Sequence, residues 1–190
     1  MKKILFQLIA GCFMASIFSS CNLFGLDLQK DFEYEYSPVE LTMDMSAYAF
    51  IESRKNMDMS LLYDAITLAG YQQEYEIDDR TFIILNDVAF TSYLKDNRYS
   101  GLQAMKVEDI KTLLNSYIVK GRYHSLDLTT TPVKVETMNP DAIMYLSLRP
   151  QNNDAQNKFE VRINDVVNSG KVVSVVTSNL QPTNGIMHVV

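Results

Sequence analysis

The sequence predicts an α+β domain in which short N-terminal helices pack on a β-sandwich or wedge built mostly from C-terminal strands. Three observations carry this. Apolar residues recur at helical spacing between residues 46 and 118, and after Thr129 the pattern turns to short β-forming runs. Those runs are punctuated by Pro140, Asn152-Asn153-Asp154, Ser169-Gly170 and Asn184-Gly185. Helices first and strands later is the order of an α+β domain rather than of a doubly wound sheet.

Taken in order, Ala47, Phe50 and Ile51 sit at helical spacing. A second helix spans residues 59–69, with Met59, Leu62, Tyr63, Ile66 and Ala69 on one face, Asp58 as its N-cap and Gly70 beyond its C-terminus. The run Thr81-Phe82-Ile83-Ile84 reads as a strand over residues 80–85. Asn86 then caps a short helix carrying Ala89, Phe90 and Leu94. A third helical face comprises Val107, Ile110, Leu113, Leu114, Tyr117 and Ile118, and Gly121 closes it. Strands follow over residues 133–137, 142–148, 159–163, 171–177 and 186–190. No internal repeat is present.

The N-terminus reads as an address. Lys2 and Lys3 precede an apolar run of 15 residues, 4–18, and then Ser19-Ser20-Cys21. A membrane-spanning helix needs about 20 residues, so the run has the length of a secretory signal. Small residues directly before Cys21 resemble a bacterial lipobox, although Phe18 stands where Leu is usual. The expected organisation is a signal peptide over 1–20, a lipidated tether over 21–45 and a domain over 46–190. Cys21 is the expected lipid attachment site. Removing the first 20 of 190 residues leaves 170 and takes the side-chain charge from −6 to −8. Cys12 leaves with the signal, so neither a disulfide nor a Cys nucleophile is available. Two acyl chains give stable anchoring, and a flexible tether of this length reaches on the order of 25–30 Å. The lack of Asp after Cys21 favours the outer membrane by resemblance to Gram-negative lipoproteins, at the cell surface or on the periplasmic face.

Composition narrows the function. Apolar residues make up 47% and charged residues 21%, which excludes a disordered chain and a membrane bundle. A charge of −6 and a pI of about 4.9 argue against nucleic-acid binding, which needs cations to displace counterions from phosphates. Two cysteines and two histidines, without metal-ligand spacing, make a metal centre an unfavoured reading. No GxSxG elbow and no phosphate loop occur. No cofactor is expected. Asp78-Asp79 reads as a solvated turn, because adjacent residues of a strand point to opposite faces. The eleven tyrosines offer a sugar-stacking platform, but Tyr63 and Tyr117 lie on faces directed at the core.

Three segments together resemble a fasciclin-like domain. Thr81-Phe82-Ile83-Ile84-Leu85-Asn86-Asp87-Val88-Ala89-Phe90 resembles the family's strand-to-helix segment, with Ile84-Leu85 where Ala-Pro is usual. Leu113-Leu114-Asn115-Ser116-Tyr117-Ile118-Val119-Lys120-Gly121-Arg122-Tyr123-His124 resembles its leucine-rich helix and Tyr-His region. Residues 178–190, with Asn184-Gly185 and His188, resemble its closing segment. The resemblance covers residues 46–190. It implies a non-enzymatic adhesion or ligand-binding module whose candidate interaction residues are Tyr123 and His124. It also implies a bond from His124 to the polar residue opening the short helix, Asp87 or Asn86.

Asn86, Asp87, Asn184, Gly185 and His188 are read as structural. Asn184-Gly185 is a hairpin signal, because both residues tolerate positive φ. His188, in an apolar strand, is expected to give one ring nitrogen to a backbone partner. No catalytic residue is assigned. The expected partners are the membrane, through the lipid, and an extracellular protein or glycan. The sequence leaves the oligomeric state open. Two rivals are an accessory subunit of an outer-membrane glycan-uptake complex, and a hydrolase joining His124 or His188 to a carboxylate and a hydroxyl.

Overall fold

The computed structural model of the protein describes residues 42–150, 159–168 and 170–190. The expected signal peptide, Cys21 and the expected tether up to residue 41 lie outside the described residues, as do Asn152-Asn153-Asp154 and Ser169. The fold is α+β. Helix α1 (Ala47–Ser53), α2 (Ser60–Ala69), strand β1 (Arg80–Ile84), α3 (Asp87–Asp96), α4 (Val107–Ser116) and β2 (Ile118–Lys120) come first. Strands β3 (Val133–Val135), β4 (Met144–Pro150), β5 (Phe159–Ile163), β6 (Val173–Ser174), β7 (Thr177–Leu180) and β8 (Gly185–Val189) follow. One sheet has the order β2-β1-β8-β7 and the other β3-β4-β5-β6.

The centre of the first sheet is a parallel pair made by the first strand and the last, β1 and β8. Arg80 stands opposite Gly185, Ile83 opposite His188 and Ile84 opposite Val189. Every residue of β8 is buried, and so are Thr81 to Ile84 of β1. Strands covered on both faces read as unbroken apolar runs, which is why Thr81-Phe82-Ile83-Ile84 lacks alternation. The second sheet is antiparallel throughout. Its alternation puts Met144, Leu146, Val161 and Ile163 in the core, which they share with Phe82, Phe90, Ile110 and Leu114.

Gly70 ends α2 in the left-handed region at φ 64°, a conformation that costs glycine little. Asn86 caps α3, its Oδ1 accepting the Ala89 N–H at 2.9 Å. Four sequence expectations are corrected. Asp58 does not cap α2, because its carboxylate takes the Arg54 guanidinium at 2.6 and 2.8 Å. Asp87, from the start of α3, supplies the acceptors there instead: Oδ1 takes the Leu61 N–H and Oδ2 the Ser60 hydroxyl. The third helical face does not extend to Ile118. The helix stops at Ser116, and residues 118–120 pair antiparallel with β1.

The single strand expected over 171–177 is two strands in different sheets. The Val175 N–H bonds to Val161 of β5, and the next N–H, of Val176, bonds to Val189 of β8, so the chain changes sheets between them. Finally, the domain begins before Ser46. Thr42 bridges Gln181 in parallel, the Met43 N–H donates to the Gln181 carbonyl and the Thr183 N–H to that of Met45. Backbone pairing holds residues 42–45 on the domain, although their side chains show no period.

Candidate functional site

The loop after β2 carries Tyr123 and His124, and four side chains hold its backbone in place. Thr81, fully buried in β1, accepts the Tyr123 N–H at 2.8 Å and donates its hydroxyl to the Gly121 carbonyl at 2.7 Å. The Arg122 guanidinium donates to the Gly185 carbonyl at 3.1 Å. His188, with 0% exposure, places Nε2 2.9 Å from the Tyr123 carbonyl oxygen. Asn179, at φ 62° in β7, accepts the Ser125 N–H through Oδ1 at 2.8 Å and donates Nδ2–H to Ser125 Oγ at 2.6 Å. A short 3-10 helix, Ser125–Asp127, closes the loop, and Leu126 stands 70% exposed at its apex.

These partners fix the state of His188. A carbonyl only accepts, so Nε2 carries the proton. The Asn179 N–H, 3.4 Å from Nδ1, only donates, so Nδ1 is unprotonated. Burial pushes the His188 pKa below its ordinary value, the Tyr123 carbonyl opposes this by favouring the charged ring, and nearby His124 lowers it further.

His124 does not bond Asp87 or Asn86, which corrects that expectation. Both are occupied elsewhere, Asp87 by Ser60 and Leu61 and Asn86 by Ala89. The His124 ring turns to its own loop, with Nδ1 accepting the Leu126 N–H at 3.1 Å while Asp127 Oδ2 accepts the His124 backbone N–H at 3.2 Å. The role expected for His124, tying two elements together, falls to His188.

Asn184 and Gly185 do connect β7 to β8, but neither lies at positive φ. Asn184, 3% exposed, accepts the Ala47 N–H through Oδ1 at 2.9 Å and donates Nδ2–H to the Tyr75 carbonyl at 2.8 Å. It thus joins the start of α1 to the 3-10 helix Gln72–Tyr75. Gly185 is required for close approach. A Cβ there would lie 2.4 Å from the Arg80 carbonyl oxygen and 2.9 Å from Phe82 Cε2.

Sequence reasoning missed Thr81 and Asn179 as loop anchors. Each looks like an ordinary strand residue until its partner 42 or 54 positions away is known. It also missed an apolar groove of about 500 Å³ between α3 and β6, lined by Val88, Ala89, Tyr93, Val173, Val176 and Val190 among others. The Lys171 ammonium crosses its edge to Asp96, at 2.7 Å, and to Ser92 Oγ. The signal for it was the valine-rich run 172–176, whose change of sheet leaves Val172 and Val176 facing solvent. Among the described residues, no group of His, Cys, Asp and Glu is placed to hold a metal ion, and no helix is long and apolar enough to cross a membrane.

Residues 57–190 match the family model for the Fasciclin domain. The chain belongs to the fasciclin domain family. Thirteen chains of solved structures (13) also match. One belongs to the structure titled "Novel Fold Revealed by the Structure of a FAS1 Domain Pair from the Insect Cell Adhesion Molecule Fasciclin I", to which this chain is similar at 17% identity and a TM-score of 0.45. The match covers 76% of this chain and 43% of that one. No curated protein matches.

Proposed function

We propose that this protein is a non-enzymatic binding module of the adhesion type, moored to the outer membrane through acyl chains on Cys21 and presenting its domain at the cell surface. The observation that supports this most is the Tyr123–Asp127 loop. Its backbone is anchored by Thr81, His188 and Asn179 while Leu126 projects into solvent. A surface loop already held in one conformation gives up little entropy when a partner binds. An extracellular protein or glycan is the partner class that fits such a loop.

The histidines favour binding over hydrolysis. In a Ser-His-Asp arrangement the ring must offer a lone pair to the nucleophile. The His188 lone pair is taken by the Asn179 N–H and that of His124 by the Leu126 N–H, and in both rings the remaining nitrogen carries the proton.

The test has two arms. Cells given a labelled fatty acid should label the wild-type chain and not Cys21→Ala, and an unlabelled wild-type chain would remove the mooring. Cells depleted of the protein should attach less to a panel of matrix proteins and glycans, and Leu126→Ala, which keeps the Leu126 N–H that His124 accepts, should reproduce that loss. Unchanged attachment across the panel would overturn the adhesion reading. Copurification with an uptake transporter would favour the accessory-subunit reading in its place.

A further inference from the structure

Both histidines of the chain converge on one loop: His124 lies in it, and His188 meets the Tyr123 carbonyl through Nε2 and, through Nδ1, the Asn179 that clamps Ser125. His188 Nδ1 accepts the Asn179 N–H, and His124 Nδ1 accepts the Leu126 N–H. Each bond exists only while that nitrogen is unprotonated. We propose that the Tyr123–Asp127 loop is an acid-released element, latched by His188 in its neutral form and freed when His188 Nδ1 takes up a proton.

The steps follow from the geometry. A proton added to His188 Nδ1 points a second N–H at the Asn179 N–H, so the two donors repel and the Asn179 N–H loses its acceptor. Asn179 already sits at φ 62°, and its side chain makes both bonds to Ser125. A shift of Asn179 therefore withdraws the clamp on the loop. The Nε2–H bond from His188 to the Tyr123 carbonyl survives protonation, so the loop is released at its Ser125 end and stays tethered at Tyr123.

The surroundings do not neutralise the added charge on His188. The loop packed on it carries the Arg122 cation, His124, which disfavours the charged His188 ring, and Asp127, whose carboxylate accepts the His124 backbone N–H. Strand β1 places Ile83 opposite His188, and β7 contributes Asn179; neither ionises. Met187 and Val189 flank it on β8. Burial and neighbouring His124 both disfavour the charged His188 ring, so the latch holds at neutral pH and yields only in an acidic medium. That the release alters partner binding rests on the reading of the loop as an interaction surface; the release itself does not.

Hydrogen exchange on the full chain tests this without any partner. Between pH 7.5 and 5, after correction for intrinsic exchange, amides of residues 123–127 should lose about tenfold in protection, while residues 81–84 and 110–114 keep theirs. His188→Gln should abolish most of this pH response. If the His188 variant fails to fold, the His188 ring 15N shifts of the wild type give the second readout, since its Nδ1 signal should move from unprotonated to protonated over the range in which the loop opens. Loop protection that is independent of pH would overturn the proposal. So would simultaneous loss across loop and core, which is global acid unfolding. Loop release at acid pH combined with no binding to any matrix protein or glycan would leave the latch standing and remove the adhesion reading alone.

Discussion

Replacing Asn184 with Ala tests the clamp that joins the two ends of the domain. The amide accepts the buried Ala47 N–H at 2.9 Å and donates to the Tyr75 carbonyl at 2.8 Å, with the Ile77 carbonyl at 3.3 Å as a second acceptor. Alanine leaves the Ala47 N–H and the Tyr75 carbonyl without partners in a region where Ala47 has 0% and Tyr75 1% exposure. Each unpaired buried backbone group costs about 1–3 kcal/mol, so the substitution should cost about 2–6 kcal/mol. With a urea m-value of about 2 kcal/mol/M, the unfolding midpoint falls by roughly 1–3 M. Far-UV circular dichroism and tyrosine fluorescence follow the transition, since the chain has no tryptophan. Thr183→Ala, at the exposed neighbouring position, should stay within about 0.5 kcal/mol of wild type. A loss below about 1 kcal/mol for Asn184→Ala at unchanged m would refute the accounting, because those two backbone groups would then have other partners.

Three further outcomes follow from the same structure. Gly185→Ala should destabilise by about 1–3 kcal/mol, because the new Cβ meets the Arg80 carbonyl of the paired strand, and exchange should show β1 and β8 amides loosening first. Asp87→Ala removes the acceptors of the Ser60 hydroxyl and the Leu61 N–H and should cost about 1–2 kcal/mol in urea unfolding. Burial of His188 makes stability depend on pH. Its folded pKa is lowered, so below the unfolded value of about 6.5 the unfolded chain binds a proton that the folded chain refuses. That stability is full above about pH 6.5 and is lost as pH falls toward the folded pKa. His188→Gln should flatten the slope, and an unchanged slope would assign it to another group.

Local chemistry made much of this domain legible in the sequence. The spacing of Leu62, Ile66 and Ala69 specifies α2, Asn86 specifies the start of α3, and the β-forming run at residues 81–84 specifies β1, because each depends on residues within a turn or two of one another. The order of three motifs likewise identified the family. Residues whose partners lie far along the chain were not legible. Ile118 continues a helical period, yet a free strand edge on β1 outweighs it. Asp58 stands where an N-cap belongs, but Arg54 is within reach of its carboxylate and Asp87 takes the capping role from 26 positions away. His124 had the expected neighbours in sequence, and the pairing of β1 with β8 brought His188 to the loop in its place.

The sequence by itself determined the α+β class, the family, most helices and strands, and the chemistry on offer: two histidines, an Asn-Gly pair and a cysteine behind an apolar leader. The tertiary structure decided which of those groups meet. Hydrogen bonds such as Asn184 to Ala47 join residues 137 positions apart. A short-range pattern can specify the conformation of a segment, but the partner of a buried polar group is chosen by how the strands assemble, and that choice is a property of the whole chain.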